Sequence, residues 1–410
     1  MITKISFENY KSFKEKQTLE LRPMTILIGK NSSGKSAVLK MLPMIENALN
    51  ADFDEPLLVD NYGIELGVSF KDLIFGRKQV GYLMFELKTN DGNCLTVKIQ
   101  SGTRHTDAPK ITYWKWNDEM ELEYNDRRKN YLDKVDETLY NCFFYGFTLD
   151  LLLYADTDKD GSGNTPQINY PEMLRTNYFS AYRKIPNRIF NLKSAFLKNK
   201  KWEIDGENAY SFLIQDVTRG EGTLLKAVSQ WYEANFEDWG LRINVEQAPD
   251  YKVELVRSYP KVQVNIRDVG QGMSQILPLV VDAFLPAPKK RVITIIEEPE
   301  LHLHPAAHAN LAELFADNVK NKNRNYLIES HSQNFVLRMR RLVAEGKFSK
   351  DNLMIYYVDF DEETGESNLK PIHVDKDGKV DFWPENVFSE TLEETLAIRT
   401  AQLKSQKNIF

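Results

Sequence analysis

The stretch Leu27-Ile28-Gly29-Lys30-Asn31-Ser32-Ser33-Gly34-Lys35-Ser36-Ala37-Val38-Leu39 restricts this chain more than any other. Gly29, Gly34, Lys35 and Ser36 fill the pattern G-x-x-x-x-G-K-S. Before it, Met24-Thr25-Ile26-Leu27-Ile28 is apolar and partly β-branched, as a buried strand should be. After it, Ala37-Val38-Leu39-Lys40-Met41-Leu42 opens a helix. Strand, glycine loop and helix in that order make a phosphate cradle. The glycines let the backbone turn tightly so that successive N–H groups point at phosphate oxygens. The helix N-terminus adds the positive end of its dipole. Lys35 is then the residue that reaches the β- and γ-phosphates, and Ser36 offers its hydroxyl to magnesium. A chance Gly/Ser turn has no reason to carry both flanks, so the stretch reads as a nucleotide-binding site. Its contacts are expected from Gly29, Lys30, Asn31, Ser32, Ser33, Gly34, Lys35, Ser36 and Ala37.

With 410 residues the chain can bury a large core, as one big domain with an insertion or as two domains. Hydrophobic content of 42% and charged content of 27% suit a globular protein. There is no membrane-length apolar run, and MITKISFENYKSF lacks the apolar centre of a signal peptide, so a cytoplasmic protein with no membrane partner is expected. Cys94 and Cys142 suggest neither a disulfide framework nor a metal site. Lys and Arg number 53 against 59 Asp and Glu, a net charge of −6, so any nucleic-acid contact would need a local basic patch.

Residues 1–125 read as a hairpin, the glycine-loop strand and helix, and then an antiparallel sheet over Val80–Leu87, Cys94–Ile99, Ile111–Trp116 and Met120–Tyr124. Residues 126–246 are richer in aromatic residues and are predicted to be a mostly helical insertion. Residues 247–410 alternate strand and helix, which points to a mostly parallel sheet with helices on its faces. The fold class expected is α/β: a P-loop NTPase with a mixed sheet core, an antiparallel β part and a mostly helical insertion.

Val292-Ile293-Thr294-Ile295-Ile296 runs into Glu297-Glu298-Pro299-Glu300, a buried strand that delivers carboxylates to its C-terminal end. This is the second half of a P-loop NTPase site. Glu297 is expected to hold magnesium through water, and Glu298 to orient or deprotonate the attacking water. His302 and His304 lack the spacing and further ligands of a zinc site. His331, after the short strand Tyr326–Ile328, is placed to reach a γ-phosphate. In Asp268-Val269-Gly270-Gln271-Gly272-Met273-Ser274-Gln275, the glycines allow close approach to another surface. Ser274 and the helix start offer anion-binding donors there, although a tight strand-to-helix turn accounts for the same residues.

Taken in order, ENYKSF, GKNSSGKS, DVGQGMSQILPL, IIEEPELHLHP and ESHS resemble the ABC-type ATPases of the RecF/SMC/OLD group. More narrowly they resemble the compact AAA-family ATPases of bacterial anti-phage defence, Septu-like or similar subunits without a Toprim domain. Tyr182–Arg188, Asp205–Asn208 and Asp381–Phe388 share this likeness. The resemblance implies ATP and Mg2+ as cofactors, Gly29–Ser36 as Walker A, and Glu297 and Glu298 as the Walker B acid and catalytic glutamate. It implies His331 as the switch histidine, with Lys35 and Glu298 as its catalytic companions, and Leu301–His304 as the D-loop. Gly270, Gln271, Gly272 and Ser274 then form a variant signature that meets nucleotide. No segment is assigned as the Q-loop, Ser69–Asp72 being no more than a guess at it. Two ATP-bound copies would pair head to tail, and hydrolysis would reopen them. The expectation is an ATPase whose dimer controls a separately encoded effector, such as a nuclease, in anti-phage defence. The alternative is a RecF- or SMC-like DNA-repair clamp that acts on DNA directly.

Three weaker signals complete the reading. Asp156–Gly161 opens like a calcium loop, but Gln167 takes the place of the bidentate glutamate, so a polar loop is expected. Arg183 to Lys201 carries seven basic residues and no acidic one, making it the candidate surface for DNA, RNA or an acidic partner, and equally a solvated helix face. Asp359-Phe360-Asp361 resembles paired nuclease acids, but it is expected to open a turn, with no nuclease activity in this chain.

Overall fold

Strand β1 (Ile2–Glu8) turns back into β2 (Gln17–Glu20), and β3 (Met24–Ile28) leads through the glycine loop into helix α1 (Lys35–Leu49). The computed structural model describes residues 1–410 apart from 51–52, 103–107, 155–172, 192–201, 322, 386 and 408–410. Two short strands, β4 (Asp60–Asn61) and β5 (Ile64–Glu65), precede a meander of β6 (Tyr82–Thr89), β7 (Cys94–Gln100), β8 (Lys110–Trp116), β9 (Met120–Asn125), β10 (Asn130–Asp133), β11 (Leu139–Tyr145) and β12 (Thr148–Tyr154). Next come β13 (Thr176–Phe179), β14 (Phe190–Asn191), α2 (Asn208–Arg219), α3 (Thr223–Asn235), β15 (Trp239–Asn244), β16 (Asp250–Arg257) and β17 (Val262–Asn265). The last part holds α4 (Gln271–Gln275), α5 (Leu277–Phe284), β18 (Val292–Glu297), α6 (Pro305–Asn321), β19 (Arg324–Glu329), α7 (Gln333–Ala344), β20 (Leu353–Phe360), β21 (Ser367–Ile372) and α8 (Glu390–Lys407).

The strands form a nine-stranded antiparallel sheet, ordered β12-β11-β10-β9-β8-β7-β6-β1-β2, a six-stranded sheet, ordered β13-β18-β19-β3-β20-β21, a four-stranded sheet in which β16 pairs with β14, β15 and β17, and the short pair β4-β5. In the second sheet every neighbouring pair is parallel except β20 and β21. Strand β3 lies inside it, and all five of its residues are buried. A strand covered on both faces needs apolar side chains at every position, which is why Met24–Ile28 shows no polar alternation. Its side chains divide by period two. Leu27 joins Ile295, Leu327, α1 and the antiparallel sheet in one core. Ile26 and Ile28 join Ile296, Ile328 and residues of α5, α6 and α7 in the other. The glycine loop and the carboxylate-bearing strand ends are thereby held between two packed layers.

The predicted helical insertion over 126–246 is corrected in its first part. Residues 130–154 run as β10, β11 and β12 and extend the antiparallel sheet. Aromatic residues favour strands as readily as helices. In β11 they follow the two-residue period, with Tyr140, Cys142 and Phe144 packed on the core and Phe143 and Tyr145 exposed. Residues 176–179 join the parallel sheet beside β18, so among the described residues the α-helices of this region are α2 and α3, with β15 following before residue 246. Residues 271–284 form two helices, α4 and α5, meeting at Ile276. Pro278, which has no N–H to donate, stands in the first turn of α5. Pro43 is accommodated inside α1, which stays one helix. Among the described residues, no helix is long and apolar enough to cross a membrane.

Candidate functional site

Between β3 and α1 the chain turns so tightly that two positions exclude a side chain. Gly29 has φ +153°, and a Cβ there would lie 2.6 Å from the Val358 carbonyl oxygen on β20. Gly34 has φ +101°, and its Cβ would lie 2.7 Å from Ser12 Oγ. Neighbouring elements also brace the loop backbone. The Ser367 hydroxyl donates to the Ser33 carbonyl at 2.8 Å, and the Tyr10 hydroxyl donates to the Ala37 carbonyl at 3.0 Å. Lys30, Asn31 and Ser32 are exposed at the mouth of the turn. Ser33 is buried, and its hydroxyl has no hydrogen-bond partner among the described residues.

Lys35 is buried at the start of α1, where its ammonium donates to the carbonyl oxygens of Gly29 (3.1 Å) and Lys30 (2.7 Å). Burial pushes its pKa down, opposed by the nearby carboxylates of Glu329 and Glu298. Ser36 donates to Glu329 Oε2 at 2.8 Å, and Lys35 Nζ stands 3.6 Å from Glu329 Oε1. His331 Nε2 lies 3.8 Å from the same Oε1. Burial pushes the Glu329 carboxyl up, but His331, Lys35 and Ser36 outweigh it and hold the group below the ordinary glutamate value. Glu298 completes the cluster, with ligand-capable atoms of Glu298, Glu329 and His331 all within 4.8 Å of one another. Glu298 has φ +40°, a left-handed backbone that its surroundings must hold. Its N–H donates to the Glu329 carbonyl at 2.9 Å, and its own carbonyl accepts from the Leu301 N–H at 3.1 Å.

The structure thus brings together Lys35, Ser36, Glu298 and His331, as expected, and adds Glu329. In the sequence, Glu329 reads only as the residue closing a short strand. Strand β19 lies between β3 and β18, so Glu329 is in register with Leu27 on one side and with Glu297 on the other. Glu297, expected to stand with Ser36, is one strand further out. Its Oε1 accepts from the Tyr178 hydroxyl, and its Oε2 accepts from the Ala181 N–H at 3.1 Å.

Arg183 was read as part of an exposed basic run; the structure corrects this, because the residue is buried. Its Nη2 donates to the carbonyls of Glu297 (2.8 Å) and Glu298 (3.4 Å). Its backbone N–H donates to Gln275 Oε1 at 3.0 Å, and its carbonyl accepts from Gln275 Nε2 at 2.8 Å. Burial lowers its pKa to about 10, against the pull of Glu300, Glu297 and Glu298. One residue therefore ties α4 to the strand end that carries Glu298. Lys184 pairs with Glu207, and Arg188 makes two 2.7 Å bonds to Asp268, so neither is an unpaired surface cation. Lys193, Lys198, Lys200 and Lys201 lie outside the described residues.

The variant signature divides by environment. Gly270 and Gln271 are exposed, with open space around Gly270. Gly272 instead packs on the D-loop candidate, where a Cβ would lie 2.5 Å from the His302 carbonyl oxygen. Ser274 is buried and donates to the Gln271 carbonyl at 3.1 Å. The geometry accounts for Gly272 and Ser274 by packing and leaves Gly270 and Gln271 facing solvent. Ser69 to Asp72 forms a capped single turn in which the Asp72 carboxylate accepts from the Val68 and Ser69 N–H groups. Asp361 caps the turn between β20 and β21 by accepting from the Glu363 N–H at 2.8 Å, while Asp359 pairs with Lys370 at 2.6 Å. The basic cluster on α7 is paired as well: Arg338 with Glu313, Arg341 with Glu345, and Arg340 with the Gly378 carbonyl. The calcium-like loop at Asp156–Gly161 lies outside the described residues.

Among solved structures, the chain is similar to the SMC head domain from Thermotoga maritima, at 11% identity over 91% of this chain and 99% of that one, TM-score 0.41. It is similar to an Smc head bound to the C-terminal winged-helix domain of ScpA, at 13% identity over 91% and 98%, TM-score 0.49. A third is an Smc head with an extended coiled coil, bound to the C-terminal domain of ScpA derived from Pyrococcus furiosus, at 12% identity over 97% and 99%, TM-score 0.46. These likenesses are too loose to carry an argument. No curated protein matches the sequence. The model of the AAA ATPase domain family matches residues 1–336, which takes in the glycine loop, the signature helix, both carboxylate-bearing strands and His331. The chain belongs to the AAA ATPase domain family, and it is an ATPase of that type.

Proposed function

We propose that this ATPase is a magnesium-dependent nucleotide switch, in which two copies close on ATP and the closed pair governs a separate effector protein, a nuclease, in anti-phage defence. The residues present fit a nucleotide phosphate. The cradle excludes any Cβ at Gly29 and Gly34, an orphan hydroxyl is buried at Ser33, and a hydroxyl–carboxylate pair stands at Ser36. Bound Mg2+-ATP supplies a γ-phosphoryl group open to attack by water, with the metal offsetting its charge. The backbone N–H groups from Gly29 to Ala37 hold the phosphates, and Lys35 places a buried positive charge beside them. Glu298 orients the attacking water and takes its proton. His331, at the end of the intervening strand, steadies that geometry. The divalent cation falls to Ser36 and an acidic side chain, for which Glu297 is the candidate from sequence. Exposed Gly270 and Gln271 are the signature atoms available to a second copy.

The reading is carried by the convergence of Lys35, Ser36, Glu298, Glu329 and His331 at the C-terminal ends of three neighbouring parallel strands, the place where α/β sheets bind ligands. A protein effector is favoured over DNA because the basic residues described on the candidate surface are buried or internally paired. The test is a tagged Glu298→Gln chain expressed from its native locus and purified with ATP and magnesium. A stoichiometric second protein is expected. Recovery of nucleic acid alone, or of no partner, would turn the reading to a DNA clamp.

A further inference from the structure

We propose that Glu329, and not Glu297, is the carboxylate that holds the divalent cation of the nucleotide. This rests on the nucleotide-switch reading and sharpens it. The first argument is connectivity. Strand β19 is hydrogen-bonded directly to β3, with Glu329 in register with Leu27, two residues before Gly29. Glu297 is a strand further away, in register with Glu329, and successive strands lie about 4.8 Å apart.

The second argument is the state of the two carboxylates. Both oxygens of Glu297 are engaged on the far side, by the Tyr178 hydroxyl and the Ala181 N–H. Its backbone carbonyl accepts from Arg183. Glu297 is therefore built into the brace between β13, α4 and β18. Glu329 instead turns its oxygens to the groups that handle phosphate and metal. Oε2 is 2.8 Å from Ser36 Oγ, and Oε1 is 3.6 Å from Lys35 Nζ. Adjacent oxygens on an octahedral ion with ligands at about 2.1 Å lie roughly 3 Å apart, so the Ser36–Glu329 spacing suits two neighbouring ligands. Glu298 and His331 complete a set of ligand-capable atoms within 4.8 Å, and Glu297 is outside that set.

Glu298 stays available to the attacking water, Glu329 takes the cation, and Glu297 keeps the strand end rigid.

The test compares full-length wild type with Glu329→Gln and Glu297→Gln, each first shown to unfold cooperatively with heat. ATP affinity is measured by calorimetry with magnesium and with EDTA. Binding of Mn2+ in the presence of ATP is followed by electron paramagnetic resonance. For Glu329→Gln the magnesium-dependent gain in ATP affinity should fall by about 10-fold or more, with loss of the bound-Mn2+ signal. Its affinity in EDTA should stay near that of wild type. Glu297→Gln should keep both the gain and the Mn2+ signal. Glu329→Asp retains the charge beside Lys35 but draws back by one methylene, so it too should lose most of the gain, and it serves if the glutamine variant does not fold. The opposite pattern, with the gain lost in Glu297→Gln and kept in either Glu329 variant, overturns the assignment. An equal loss with magnesium and with EDTA in Glu329→Gln also overturns it, because Glu329 would then act only through Lys35. Wild type that binds no ATP under either condition would sink the nucleotide-switch reading itself.

Discussion

Glu298 is held in an unfavourable backbone conformation at the end of β18, and its neighbours show how. Its φ of +40° is maintained by its N–H on the Glu329 carbonyl and by Arg183 on its own carbonyl. Strain of about 1–3 kcal/mol persists only where such contacts over-determine the geometry, and it clusters where a side chain must be aimed. Replacing Glu298 by Gln should leave ATP affinity intact and slow phosphate release at saturating ATP by about 10²- to 10⁴-fold, the range for loss of a positioned general base. A rate near wild type would remove Glu298 from the chemistry. At this scale the sequence was uneven. The glycine loop was legible because each of its requirements is local: two glycines, a lysine and a serine between a strand and a helix. Glu329 was not legible, because its place depends on β19 inserting between β3 and β18, a pairing that no local pattern records. Arg183 was misjudged for the same reason. A basic residue in a basic run looks exposed until Gln275 and the Glu297 and Glu298 carbonyls are seen around it.

Among the elements, the packing of α5, α6, α7 and β19 keeps the strand ends in place. Asp282 on α5 and Arg324 at the start of β19 are both buried and meet through two bonds of 2.8 and 2.9 Å. Removing one partner of a buried pair leaves the other charge uncompensated. Asp282→Ala should therefore destabilise the protein by about 3–5 kcal/mol in urea unfolding, and the double variant with Arg324→Met by clearly less. A loss in the double variant equal to the sum of the two single-variant losses would mean that the pair is not coupled. His308 on α6 supplies a second tie. Its Nδ1 meets the Ser332 hydroxyl at 2.7 Å, and its Nε2 meets the Leu303 carbonyl at 3.2 Å. The Leu303 carbonyl can only accept, so Nε2–H donates to it. With the ring neutral, Nδ1 accepts from the Ser332 hydroxyl, which itself accepts from the Phe335 N–H as the cap of α7. Burial lowers the ring's pKa below 6.5, opposed by the Leu303 bond and helped by His304. The folded state then binds this proton less readily than the unfolded chain. The contribution of His308 is present above 6.5 and is lost as pH falls through the lower folded value. Between pH 7.5 and 5.5, wild type should lose more of its urea midpoint than His308→Gln. Parallel losses in the two proteins would contradict this. Strands such as β3 and β18 are readable from apolar runs, whereas β10 to β12 are obscured by aromatic residues that suit strand and helix alike, and only the two-residue alternation separates the two.

Arg183 joins α4 to the strand end that carries Glu298, and Gly272 packs on the His302 carbonyl, so in the proposed switch a partner that touches Gly270 and Gln271 would reach the Glu298 strand end through Arg183. The two-layer core holds the cluster side of this arrangement rigid while leaving Gly270 and Gln271 open. The overall α/β plan, with its antiparallel part and parallel sheet, followed from the alternation of strand and helix. The proposed division of labour between the three acidic strand-end residues did not, since it rests on the order of strands in the sheet. The most direct measurement is the mass of full-length Glu298→Gln by light scattering after size exclusion, with ATP and magnesium, with ADP and magnesium, and without nucleotide. A dimer with ATP alone, and a smaller species in the other two conditions, is expected. One mass in all three conditions would contradict a switch that closes on ATP.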